Sequence, residues 1–477
     1  MADKKLLFWQ YEMKLGVLFT MIILTGAALA MPVVTPPQPL NDDAESDVRS
    51  DVGAALQMTE SGTTIAVWDS FELGEPDSFY LKIARSSDFG RSWEPASTFI
   101  WHPDQTDSGP SIGTDGRGNW VVTWYGWRSE YSNGTSDRDI YVVYSHDDGL
   151  TWSEPAPLNS YAATDINAYD WGPEIRTDGH GLWLCAWGSH YDLLDGSTEV
   201  DTDVLLSRST DNGETWSEPT YLFSQDIKDD NLDSFVYGGG QSWLAVLDWS
   251  GTKGFYALRS DDNGQTWHET ALPIPADPEY GQGLPSVAAD GQGTWVYAWF
   301  RFVDIGYWGG YQIVTSCSED DGLTWSEPTA VITIEISMET DTPSLRAPSI
   351  TFSHGSTWLL AWSVDFGQGH IPRRESYVAV SPDNGTTWSE PAAIHDYDEN
   401  WEGDIAGSPQ WTTAGADHWL LTFSDQDLDG SAMGDDYDIF YMVTPTDSDG
   451  DGVYDYEEPS GDADGDGLDN VDDSDSN

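Results

Sequence analysis

Short β-rich runs follow one another along most of this chain, separated by turns of Asp, Gly, Ser and Pro. In Trp120-Val121-Val122-Thr123-Trp124 and Asp139-Ile140-Tyr141-Val142-Val143-Tyr144, β-branched and aromatic residues fill five consecutive positions between polar turns, the signature of strands. Trp120 and Trp124 are four apart and so share one strand face, as do Trp183 and Trp187, Trp295 and Trp299, and Trp358 and Trp362. That face is expected to pack against the next of a series of similar units.

The series is visible as a repeat, and a repeat of tens of residues decides an architecture before any local pattern does. Six segments fit Ser-x-Asp-x-Gly-x-Ser/Thr-Trp, starting at Ser86, Ser145, Ser209, Ser260, Ser318 and Ser381 at intervals of 51 to 64 residues. Each follows a β-rich run, and most precede a Glu-Pro that opens another short extended segment. The octapeptide therefore predicts a hairpin turn in which Gly supplies positive φ, Asp and Ser bond turn amides, and Trp packs back between strands. Upstream of each lies a second element, such as Pro110-Ser111-Ile112, then Asp115-Gly116-Arg117-Gly118, then the Trp120 run. Asp-Gly between two β-rich runs is a hairpin signal.

The unit is thus four antiparallel strands, with the Asp-Gly turn between the first and second and the octapeptide between the third and fourth. The chain reads as all-β, a β-propeller of seven four-stranded blades, with six blades as the alternative. The seventh unit, Pro409 to Val443, lacks a fourth strand. Pro36-Pro37-Gln38-Pro39-Leu40 resembles the outer segment Glu154-Pro155-Ala156-Pro157-Leu158, so an N-terminal strand is expected to close the last blade and cover its edge.

These repeats resemble the bacterial neuraminidase, or Asp-box, repeat family, over residues 36 to 443. The resemblance implies that the boxes lie at the blade periphery with a structural role, and that the active site of an enzyme in the family opens on the opposite face. The motif is specific for fold and poor for function, since sialidases, other glycoside hydrolases and non-catalytic propellers share it. A sialidase binds its substrate's carboxylate with three arginines, the first in a Phe-Arg-Ile-Pro motif, and uses a Tyr nucleophile paired with Glu and an Asp acid/base. This chain has no Phe-Arg-Ile-Pro; Arg49 lies close to the first strand without the surrounding residues.

On the face opposite the boxes, the connections are long and rich in aromatic and acidic residues: Tyr125-Gly126-Trp127-Arg128, Tyr169-Asp170-Trp171, His190-Tyr191, Tyr307-Trp308, His370 with Arg373 and Arg374, and Tyr397 to Asp404. Rings beside carboxylates suit sugars, which stack an apolar face and hydrogen-bond their hydroxyls. Candidate catalytic residues just before, on or near inner strands are Asp107, Asp170, Glu174, Arg176, Asp233, Arg301, Arg346 and Asp404. Glu174 and Arg176, two apart, either face a channel together or form a structural pair. Aspartates that recur before the third strand, as in Asp137-Arg138-Asp139, Asp201-Thr202-Asp203 and Asp436-Tyr437-Asp438, read as loop-fixing residues. Three functions stay open: glycan recognition on this face, glycoside hydrolysis of an exo-sialidase-like kind with a non-standard arginine arrangement, and non-catalytic binding of a cell-surface protein.

Charge narrows the partners. With 83 acidic and 19 basic residues the formal net charge is -64, which repels nucleic acid and anionic membranes and works against steering of an anionic sugar. Cys185 and Cys317 fall at different places in different repeats and read as buried thiols.

The two ends read differently from the middle. Residues 1–30 carry Lys14, an apolar run from Leu15 to Leu24 and a small-residue Ala28-Leu29-Ala30 site, the pattern of an export signal opened at Met13 and cleaved near Ala30. The mature chain, residues 31–446 as propeller and 447–477 as tail, is then expected to be secreted, periplasmic or at the cell surface, without a membrane span. In the tail, Asp447, Asp449, Asp451, the Val453 carbonyl, Asp455 and Glu458 fit the twelve-residue calcium loop, with Gly452 at its sharp turn. A second, poorer copy offers Asp462, Asp464, Asp466 and Asp473. Together they resemble thrombospondin type 3 repeats, and calcium is the one cofactor expected.

Overall fold

The computed structural model describes residues 35, 37–40, 49–72, 79–100, 105–128, 137–163, 168–193, 198–223, 230–249, 254–272, 282–305, 309–335, 344–366, 373–393, 405–415, 418–425 and 437–445. The calcium-loop residues 447–477, the export-signal residues and Asp404 lie outside them.

Each repeat folds as one antiparallel sheet. In the second, Thr106–Thr114, Trp120–Arg128, Asp137–Ser145 and Ala156–Pro157 pair in chain order from the axis outward. Seven such sheets make an all-β propeller, with no helix among the described residues. The sixth divides its innermost strand into Ser344–Leu345 and Ser349–His354, both paired with Thr357–Phe366. The seventh consists of Ile405–Ala414, His418–Asp425 and Asp438–Val443, and its outer place is taken by Gln38–Pro39, paired with Tyr441 and Phe440. Thr35 N donates to the Val443 carbonyl at 2.9 Å and Leu40 N to the Ile439 carbonyl at 2.7 Å, so the N-terminal segment closes the ring as expected.

Hydrophobic clusters fill the junctions between successive blades. Ile65, Val67 and Leu81 of the first blade meet Trp120, Val122 and Trp124 of the second; Val121, Ile140 and Val142 of the second meet Trp183, Cys185 and Trp187 of the third. The paired tryptophans are fully buried, and they face the preceding blade, not the next one. Strand alternation separates the Trp face from the Val121 face, but which neighbour each face meets depends on the direction in which blades are laid round the axis, and the alternation does not encode that direction. At the last junction Trp68 and Leu56 pack with Leu420, Ile439, Tyr441 and Leu40. Cys185 is buried and Cys317 half-buried, and both are free thiols.

The boxes are hairpin turns with one hydrogen-bond scheme. Ser209 Oγ donates to Asp211 Oδ1 at 2.8 Å and accepts from Gly213 N at 2.9 Å, while Asp211 accepts from Thr215 N at 2.9 Å and the Thr215 hydroxyl at 2.5 Å. The other five boxes repeat it, from Ser86 and Asp88 to Ser381 and Asp383. Every described non-glycine residue with positive φ is the residue before a box glycine, five of them Asp or Asn and one Phe89; Asp and Asn tolerate this conformation best. The box also touches the Asp-Gly turn of its own blade, since Asp148 N donates to the Gly118 carbonyl and Asp321 N to the Gly293 carbonyl, each at 3.0 Å. Both tight turns therefore lie at one end of the blade, and the starts of the first and third strands lie at the other.

Candidate functional site

At that second end the innermost strands are interrupted. The ladder shifts register between Ser108 and Ser111, between Trp171 and Glu174 and between Gly283 and Ser286, and a proline, Pro110, Pro173 or Pro285, sits inside each shift. A proline has no N–H to give a ladder, and a bulge both accommodates it and re-aims the residues around it. The seven innermost strands, bulge residues included, enclose an axial cavity of about 820 Å³, lined mostly by small residues, with Glu174, Arg176 and Asp233 as its charged lining among the described residues.

The residues singled out from sequence separate into three groups. Glu174 and Arg176 do face the channel together, and they pair with each other at 2.8 Å, which offsets their charges. Asp107 and Asp170 are fully buried inside blades. Asp107 accepts from Trp124 Nε1 at 2.9 Å and Gln105 Nε2 at 2.7 Å. Asp170 accepts from the Tyr161 hydroxyl and from Asn159 Nδ2, each at 3.0 Å, and the same Asn159 amide donates to Asp139 at 3.0 Å. This network ties the second blade's outer strand to the third blade's inner one. Burial and the Asp170 charge push the Tyr161 hydroxyl well above its ordinary pKa. Arg301 and Arg346 do not line the axial cavity; Arg301 Nε donates to Gln312 at 3.0 Å, and Arg346 is exposed.

The structure instead brings together residues from the first three blades. The bulge at Gly109 (φ 66°) frees its amide to donate to Asp69 Oδ1 at 3.0 Å, and Ser108 Oγ donates to Asp69 Oδ2 at 2.9 Å. The Tyr125 hydroxyl donates to Ser108 Oγ at 3.2 Å. Crowding around Asp69 desolvates it and drives its carboxyl up to about 7; the Ser108 and Gly109 hydrogen bonds oppose the rise and the nearby Asp107 charge adds to it. Asp69 thus exchanges its proton near neutral pH. In the same blade Asp51, desolvated and opposed by Lys82 at 3.3 Å, rises to about 6.

Tyr125 also forms one side of an aromatic enclosure. The Arg138 guanidinium lies 3.8 Å from the Tyr169 ring centre, 5.2 Å from that of Tyr125 and 5.3 Å from that of Trp127. Tyr169, Trp171 and His190 continue the wall, with ring centres 5.1 to 5.9 Å apart. All of these rings are half-buried, so each keeps an accessible edge or face. Neither Asp69 nor Arg138 stood out by type alone. The repeat marks neither of them: at the Asp69 position the other blades carry Tyr125, Gly188, Asp248, Phe300, Ser363 and Ser424, and at the Arg138 position Phe79, Thr202, Lys253, Tyr311, Arg374 and Tyr437.

The fold and the repeats define a seven-bladed β-propeller with Asp-box turns, and comparison with known proteins finds similarity to that repeat and to sialidases. The family model described as BNR/Asp-box repeat matches residues 258–269, the box of the fourth blade. The chain is 27% identical over 243 residues to a sialidase of Clostridium perfringens, covering 44% of this chain and 59% of that protein. It is 29% identical over 190 residues to a sialidase of Paraclostridium sordellii, covering 34% and 44%. The matched stretch thus spans about half the length of these relatives. Among solved structures, a protein of unknown function from Dyadobacter fermentans DSM 18053 shares the fold with a TM-score of 0.50 at 16% identity, over 74% of this chain and 98% of that one.

Proposed function

We propose that this chain is an exported, sialidase-like propeller that recognises glycans on the face opposite its Asp boxes. The observation that carries the reading is the wall of Tyr125, Trp127, Tyr169, Trp171 and His190, which lies beside the hydrogen-bonding group of Asp69 and Ser108 at the bulged ends of the inner strands. Aromatic faces stack on pyranose rings, and carboxyl and hydroxyl groups fix their hydroxyls. Binding to a glycan array is the test, with oligosaccharide ligands expected and a blank array as the refuting result.

One observation favours a second reading, glycoside hydrolysis. A carboxyl that titrates near 7 is suited to protonate a departing glycosidic oxygen, and Asp69 has that property. Aryl glycosides, a sialoside among them, separate the two: turnover that Asp69→Asn abolishes selects hydrolysis, and binding without turnover selects recognition. A cell-surface protein partner belongs to the same face and is read by the same array if its glycan is the part bound.

The tail enters the proposal as a calcium site. Five carboxylates, on Asp447, Asp449, Asp451, Asp455 and Glu458, repel one another within twelve residues, and a hard divalent cation relieves that repulsion. Calorimetry is expected to show calcium uptake that disappears when residues 447–477 are removed; equal uptake without them refutes the assignment.

A further inference from the structure

The acidity of this chain makes one arginine conspicuous. Arg138 is held over Tyr169 and between Tyr125 and Trp127, and among the described residues no carboxylate pairs with it. Its flanking acids do not serve, because alternation along the strand sends Asp137 and Asp139 to the other side, where both are buried and Asp139 binds Asn159. Its Nε is buried without an acceptor. A guanidinium stacked in this way presents its remaining N–H edge outward in a fixed orientation. Stacking also lowers the cost of stripping water from it, since guanidinium is weakly hydrated to begin with.

A structural role alone explains the position poorly. At the matching register the other blades carry Phe79, Thr202, Tyr311 and Tyr437 as well as the cations Lys253 and Arg374, so the strand itself accepts either kind of residue there. Four aromatic residues from two blades, Tyr125, Trp127, Tyr169 and Trp171, surround or adjoin the group, and the wall stays partly open to solvent. None of these side chains, nor Arg138 itself, lines the axial cavity among the described residues. Arg138 lies on a third strand, farther from the axis than the bulges that frame Asp69.

The geometry points to Arg138 as an off-axis subsite that binds one anionic substituent, a carboxylate or a sulfate ester, on an extended oligosaccharide. This rests on the glycan-recognition reading and deepens it. An anion engaged away from the axis belongs to a sugar unit other than the one at the axial mouth, so the ligand spans more than one residue. The net charge of -64 disfavours dense polyanions, and a single stacked guanidinium matches a sparsely charged chain. Charge-assisted hydrogen bonds to such a group are among the stronger polar contacts.

The test compares three oligosaccharides of equal length, one neutral, one bearing a uronic acid and one bearing a sulfate ester, against full-length protein and its Arg138→Gln and Arg138→Lys variants. Calorimetry gives the affinities, and thermal unfolding reports whether each variant remains folded. The wild type is expected to prefer at least one anionic ligand over the neutral one by about tenfold, a preference that weakens as salt rises. Arg138→Gln is expected to lose that preference while keeping neutral binding, and Arg138→Lys to retain part of it. The two anionic arms show whether carboxylate or sulfate is the substituent. Equal wild-type binding of all three ligands overturns the Arg138 assignment and leaves glycan recognition standing, as does a preference that survives in Arg138→Gln. Failure of all three to bind overturns both. A charged monosaccharide that binds as tightly as the oligosaccharide overturns the off-axis placement.

Discussion

The two ends of the blades use carboxylates in opposite ways. At the box end Asp147 and Asp262 each accept from a threonine hydroxyl and backbone amides, and those bonds hold their carboxyls down at about 2; Asp320 is lowered for the same reason. At the other end Asp51 and Asp69 are crowded out of water and rise to about 6 and 7. The first set repeats blade after blade with the same partners. Among the described residues the Asp51 position recurs as buried Asp107 and Asp170, while a carboxylate that takes a bulge amide, Asp69 with Gly109, occurs once. An arrangement repeated six times round a ring does something each blade needs, which is to close a hairpin; an arrangement found in one place is where a particular activity has room to reside.

The largest effect expected from breaking the repeated part comes from its core. Trp187→Ala empties a fully buried position between the second and third blades and should lower stability by about 3–5 kcal/mol, read from urea unfolding. A loss under about 1 kcal/mol would mean that the junction is not tightly packed. Removing the chain up to Leu40 comes next. It uncovers the Asp438–Val443 edge and the apolar surface under Leu40, so a lower melting temperature and self-association in light scattering are expected; a monomer as stable as the parent would contradict the ring closure. Ser209→Ala is smaller. It leaves the buried Gly213 amide without its acceptor and should cost about 1–3 kcal/mol.

The smallest effect separates the two ends by the sign of their pH dependence. Asp69 binds its proton more tightly folded than unfolded, because its pKa is about 7 against an ordinary 3.8. Its contribution is therefore present below about pH 4 and lost as pH rises through 7. Asp69→Asn should flatten that fall, seen as a smaller difference between unfolding midpoints at about pH 4.5 and 7.5. The box aspartates act in the other direction: their contribution is present above the ordinary carboxyl value and is lost as pH falls toward 2. An unchanged midpoint difference in Asp69→Asn would show that its carboxyl is not desolvated.

The same contrast explains what the sequence could reveal. Six boxes, the Asp-Gly turns and the spaced tryptophans specify four strands per unit and seven units, and Gln38 and Pro39 could be placed because they imitate an outer strand. The direction of packing was not legible, since a strand's two faces look alike until neighbours are assigned. The site was the least legible part. Asp107 and Asp170 satisfy every criterion of type and position, yet Trp124, Gln105, Tyr161 and Asn159 turn them inward. Those donors lie 2 to 17 positions away along the chain, and nothing in their spacing marks them as partners. Asp69 needed a bulge in the next blade to supply the Gly109 amide, and Arg138 needed Tyr169 from the blade beyond.

On the proposed reading, recognition resides in the unrepeated end and stability in the repeated one. Glycan-array binding of the Asp69→Asn/Arg138→Gln double variant, measured beside Ser209→Ala at a temperature where both are folded, tests it most directly. The double variant is expected to lose binding with a melting temperature near that of the parent, while Ser209→Ala melts earlier and binds as the parent does. A double variant that binds like the parent, or a folded Ser209→Ala that does not bind, would contradict it.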